Sequence, residues 1–178
     1  MSQFFRTMLR AFILPVLVTA SVAVPAAPRN AQHNQSDGVV KIGVLTDMNG
    51  AYSAISGKGS LLAAQMAIED FGGKVLGKPI ELVHADHQLI PQLAASIARD
   101  WMQNGKVDLV LDVPNSNAAV EVIRVAQELN RIAIISSAGS DRITNEECSP
   151  NSLHWTYDSR AVTRSTVDAI IKTGGSSW

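Results

Sequence analysis

The chain has 178 residues, a formal net charge of −1, 46% apolar and 17% charged residues. That composition fills a hydrophobic core and excludes a disordered chain. The even charge and 5% aromatic content exclude a basic nucleic-acid surface with a stacking platform; four histidines and one cysteine are too few and too scattered for a structural zinc site.

Arg6 and Arg10 precede the apolar run 11–20, and small residues fill 21–27. A basic start, a short apolar stretch and small residues are the parts of a secretory signal peptide, assigned to residues 1–27. Ser21-Val22-Ala23 and Val24-Pro25-Ala26 both serve as cleavage motifs. A spanning helix would need about 20 apolar residues, and Pro15 interrupts this run. Periplasmic export is therefore expected. Residues 28–38 are polar and aperiodic and read as a linker.

A regular alternation starts at Val39. The β-branched run 39–45 suits a buried parallel strand. A Gly- and Ser-rich loop follows from Thr46 to Gly59, then a helix from Ser60 to Phe71 with apolar residues at helical spacing. Gly72-Gly73 ends it. Residues 79–84 form the second strand, and Pro91 opens a helix that runs to about Gln103. Residues 107–113 form the third strand. Asn117 can cap the next helix, Asn130 closes it, and 132–135 is the fourth strand. Residues 153–157 read as a short fifth strand. Asp158 or Ser159 then caps a helix to about Lys172. The stretch 172–178 reads as a helix stop followed by the start of another strand, so the chain is expected to belong to a longer protein.

Strand–helix alternation with short connections predicts an α/β fold: an open parallel sheet with helices on both faces, over residues 39–175. In a flavodoxin-like strand order the crevice lies between the loops after strands one and three, here Thr46–Gly59 and Pro114–Asn117. The first of these loops is long for its kind, and its glycines let backbone N–H groups approach a ligand. Pro114-Asn-Ser-Asn117 and Ser136-Ser-Ala-Gly-Ser140 supply small polar residues at strand ends. Such residues can hold a carboxylate without a counter-charge, and can equally cap helices. His84-Ala-Asp-His87 has no third ligand nearby, so it reads as a polar strand end and no metal is expected. Asp47, Asp86 and Asp112 end three strands in a row. That pattern resembles the acidic site of a receiver domain, a ligand-sensing alternative, but the paired acids after strand one and the lysine after strand five are missing. No nucleophile elbow, cysteine–histidine set or dinucleotide fingerprint occurs, so neither an enzyme nor a cofactor is expected. Cys148, without a partner, reads as a small buried hydrophobe.

Three segments carry a family resemblance: Lys41-Ile-Gly-Val-Leu-Thr-Asp-Met-Asn-Gly50, Ala63-Ala-Gln-Met-Ala-Ile-Glu-Asp70, and Gly72-Gly-Lys-Val-Leu-Gly-Lys-Pro-Ile-Glu-Leu-Val83. From Val39 to Trp178 the chain resembles the leucine/isoleucine/valine-binding family. These are type I periplasmic binding proteins that serve branched-chain amino acid ABC importers. Val113-Pro-Asn-Ser116 and Cys148–Asp158 are similar to members that bind aromatic or other organic acids. The resemblance implies two lobes closing over a ligand, with 39–175 as the N-terminal lobe and 176–178 as the start of the second. It implies a monomer that hands a small carboxylated solute to a membrane permease. It places Tyr52, Ser56, Asn115, Ser116, Ala138, Ser140 and Tyr157 at the ligand, with Ala138 and Ser140 holding the carboxylate. Ser56 stands where amino-acid binders often carry tyrosine, Pro114-Asn115 replaces a serine-rich stretch, and their cysteine pair is missing, which makes leucine doubtful as the solute.

Overall fold

The computed structural model describes residues 38–177. The residues read as a signal peptide, nearly all of those read as a linker, and Trp178 lie outside the described residues.

Six strands form one sheet in the order β2-β3-β1-β4-β5-β6. They are β1 (Val40–Thr46), β2 (Lys74–Val75), β3 (Lys78–Asp86), β4 (Leu109–Asp112), β5 (Ile132–Ile135) and β6 (Ser152–His154). All neighbouring pairs are parallel except β2–β3. Without the edge strand β2, the five strands read from sequence stand in the flavodoxin-like order of the two that alternation allows. The added antiparallel pair is a two-residue hairpin through Leu76 and Gly77, both at positive φ. It was invisible to periodicity because β2 is too short to show alternation.

Three helices connect the strands, α1 (Gly57–Asp70), α2 (Pro91–Gln103) and α3 (Ser116–Glu128), and α4 (Ser159–Lys172) follows β6. Strand alternation assigns them to faces. Leu45 belongs to the apolar core formed with Ala94, Ala98 and Met102 of α2 and with the buried residues of α3. Its neighbour Val44 points the other way and is also buried, as is Ala64 of α1. Helices therefore lie on both faces: α2 and α3 on one, α1 on the other. Gly43 shares the α2 face, where a Cβ would stand 2.5 Å from the Trp101 ring. Glycine at that place lets the indole lie against the strand.

Three sequence expectations need correction. The helix after strand one begins at Gly57 instead of Ser60, because Gly57 takes a left-handed φ of +56° and its N–H donates to Thr46 Oγ1 at 2.8 Å. The cap of α3 is Asn115 instead of Asn117; its side-chain oxygen accepts from the Ala118 N–H at 2.9 Å. Cys148 is an exposed free thiol and not a core residue. It follows a 3₁₀ turn (Asp141–Ile143) in a surface loop whose buried members are Ile143 and Ser149. Asp158 caps α4 by accepting from the Ala161 N–H at 2.7 Å.

Candidate functional site

Parallel pairing brings the carboxyl ends of five strands to one edge. Ala85, Leu45, Asp112, Ile135 and His154 form a single row across β3, β1, β4, β5 and β6. The loops that follow this row carry all seven sequence-selected residues. Each of the seven therefore follows the carboxyl end of a strand on the same edge of the sheet.

The first loop is shaped by Asp47. Its buried carboxylate accepts the Gly50 N–H at 2.7 Å and the Tyr52 N–H at 2.8 Å. A side chain at position 50 would come within 2.6 Å of that carboxylate, so glycine is required there. The loop turns back and leaves Tyr52 36% exposed at the rim, while Ser56 is buried beneath it.

Ser56 is part of a hydrogen-bond chain whose direction can be worked out. The Gly57 N–H donates to Thr46 Oγ1 at 2.8 Å. Thr46 and Ser56 hydroxyls lie 2.5 Å apart, and Ser56 Oγ donates to Asp112 Oδ2 at 2.5 Å. A carboxylate only accepts and a hydroxyl has one hydrogen. Ser56 therefore gives its hydrogen to Asp112, and Thr46 gives its own to Ser56. Ser137 and, at 3.3 Å, Ser136 donate to Asp112 Oδ1. Asp112 is fully buried, so these donors replace the water it has lost.

The other rim residues come from the remaining loops. Asn115 caps α3, and half-buried Ser116 begins its first turn. Ala138 is fully buried and its carbonyl lies 2.6 Å from His154 Nε2. Ser140 Oγ accepts the Arg142 N–H at 3.4 Å, which leaves its own hydrogen to donate elsewhere. The Tyr157 ring, 63% exposed, packs so closely on Gly139 that a Cβ there would meet it at 3.0 Å. The Ser159 N–H donates to the Gly139 carbonyl at 2.7 Å, tying the last two loops together.

Sequence reasoning missed the buried layer under this rim. His84 is exposed but His87 is fully buried, so the two histidines do not act as a pair. His87 Nδ1 accepts the Leu89 N–H at 3.0 Å, which puts the hydrogen of the neutral ring on Nε2. That Nε2 is buried without a hydrogen-bond partner among the described residues. Burial holds the His87 pKa below its usual value, against the pull of Asp47, Asp86 and Asp112. Burial would raise the Asp86 pKa, but N–H groups of Gln88 and Met48 and the Asn49 amide hold it low. No group of three metal-ligating side chains occurs among the described residues. No described helix is long and apolar enough to cross a membrane. An aspartate directly after an apolar strand, with glycine three residues on, was the available signal for the Asp47 turn.

Comparison with known proteins follows the same outline. Residues 39–178 match the family model for periplasmic binding proteins. The chain belongs to the periplasmic binding protein family. A periplasmic binding protein of Burkholderia mallei is 48% identical and superposes with a TM-score of 0.77, over 79% of this chain and 38% of that one. A branched-chain amino acid ABC transporter periplasmic ligand-binding protein of Burkholderia xenovorans is 39% identical, with a TM-score of 0.71, over 76% of this chain and 36% of that one. A solute-binding protein of an ABC transporter from Rhodopseudomonas palustris, solved with benzoate, is 28% identical, with a TM-score of 0.71, over 77% of this chain and 38% of that one. The chain thus spans less than two fifths of the length of these solved relatives. Comparison with curated protein sequences returned no match.

Proposed function

We propose that this chain is the N-terminal lobe of an extracytoplasmic substrate-binding component of an ABC-type importer. It takes a small carboxylated solute, a branched-chain amino acid or an aromatic acid, in the cleft against a second lobe, and presents it to a membrane permease as a monomer. The observation that carries the reading is the convergence of the loops after β1, β4, β5 and β6 on one rim. Tyr52 and Tyr157 offer apolar ring faces there. The Ser116 and Ser140 hydroxyls, beside the Asn115 cap and the Ala138 backbone, offer donors to a carboxylate. Hydroxyls and amides can hold an anion without a buried cation. Ser56 serves from below, since its hydrogen goes to Asp112. Benzoate in the Rhodopseudomonas relative favours an aromatic acid. The receiver-like alternative loses support because Asp112, which would accept the phosphoryl group, is buried under serine hydroxyls.

Calorimetric titration of the full-length protein against branched-chain amino acids and a series of benzoates tests the reading. Tight binding of one acid is expected, weakened about tenfold by Ser140→Ala through loss of a charge-assisted hydrogen bond. Failure of every acid in a broad library to bind would refute it.

A further inference from the structure

Asp112 ends β4 in an unfavourable backbone conformation. Its φ is +89° and that of Val113 is +54°. A β-branched residue rarely enters the left-handed region, and such conformations persist only where surrounding contacts over-determine them. Those contacts come from β1 and from two loops. The Val113 N–H donates to the Leu45 carbonyl at 2.9 Å, and the Ser136 N–H to the Asp112 carbonyl at 3.2 Å. Ser56 from the first loop and Ser136 and Ser137 from the third give their hydroxyl hydrogens to the Asp112 carboxylate. Pro114 and Asn115 follow at once and launch α3.

We propose that Asp112 is the positioning residue of the rim. It locks the loops after β1, β4 and β5 into one unit and turns the Ser56 and Ser137 hydrogens inward. A solute then meets Ser137 as an acceptor only, with Ser56 closed off below the loop, and its carboxylate is steered to Ser116 and Ser140. This inference rests on the solute-binding reading for its consequence but not for its mechanics. Replacing one carboxylate oxygen by an amide group, as in Asp112→Asn, sets a donor against a serine that was itself donating. One hydroxyl must then turn, and the loop that carries it loosens.

The test uses hydrogen exchange on the full-length protein, with benzoate and isoleucine titrated in parallel. Asp112→Asn should speed amide exchange in the loops 47–57 and 136–140 together, by about tenfold, the equilibrium equivalent of one lost hydrogen bond. Exchange in α2 and β1 should stay as in the parent. Ser137→Ala, a smaller change, should loosen the 47–57 loop that Ser137 does not touch. Loosening confined to the mutated loop, or spread evenly over the sheet, overturns the proposal, as does unchanged exchange. Where the parent binds either acid, Asp112→Asn should weaken it about tenfold, and equal affinity overturns the positioning role. If the parent binds no acid at all, the transport reading falls, while the coupling of the loops is still judged by exchange.

Discussion

On one face of the sheet, α2 and α3 seal Leu45, Val110, Ala133 and Ile135 from solvent. On the other, Val44 is fully buried, but its row partners Leu111 and Ile134 are only half-buried and Leu153 is 47% exposed. The more open face is no less apolar, with Ile42, Val44, Leu109, Leu111, Ile132, Ile134 and Leu153 in its rows, so residue type does not make the difference. Chain path does. The crossover through α1 leads from β1 out to β3, whereas those through α2 and α3 lead back across β1 and on to β5. Right-handed crossovers in opposite directions place their helices on opposite faces. Two helices thus pack side by side on one face, and α1 alone covers part of the other. Helices show the same contrast: α3 buries seven residues and α4, capped equally well, buries none.

Truncation should separate the faces most sharply. Ile123→Ala in α3, at a site 1% exposed, should cost about 2–5 kcal/mol in urea unfolding. Leu153→Ala on the other face should cost well under half of that, because much of its surface is already wet. Equal costs would mean that the second face is as tightly packed as the first. Gly43→Ala should follow, at about 1–3 kcal/mol, since the new methyl meets the Trp101 ring. Asn115→Ala should cost about 1 kcal/mol by removing the α3 cap. Asp158→Ala removes an equivalent cap from α4, and should register as local fraying in hydrogen exchange more than as a shift in the global midpoint.

The smallest expected effect is a pH dependence. Because the folded pKa of His87 is depressed, the unfolded chain binds more protons than the folded one just below the ordinary value of 6.5. Its contribution to stability is therefore complete above that value and is lost as pH falls through the folded pKa. His87→Gln should flatten the slope of the urea midpoint between about pH 5 and 7. Asp86, lowered from 3.8, acts only in more acidic solution, so a slope that survives the substitution would point away from His87.

Much of this architecture was legible in the residues. Pro91 and Gln103 bound α2 as read, Asp158 is a true cap, and β5 falls on Ile132–Ile135 as read. Alternation and caps are local, and local signals suffice for such elements. The start of α1 was read three residues late because Gly57 is a poor helix former, admitted there by Thr46. Asn115 and Asn117 flank Ser116 with identical chemistry, and only backbone direction chooses between them. The rim was legible as a set of loops but not as a set of donors. Ser56 and Ser140 are the same residue type, and what separates them is Asp112, 56 positions beyond Ser56. A serine's orientation depends on such distant partners, which composition and spacing do not encode.

The indole of Trp101, packed against Gly43 of β1, has an optical consequence. It stands on the sealed face, whereas Trp155, 75% exposed, follows the strand edge beside the rim. With every other tryptophan of the protein replaced by phenylalanine, the emission should split into a bluer component that reddens only on denaturation and a redder one that iodide quenches. The first reports whether the molecule is intact and the second on the surroundings of the rim, without any attached dye.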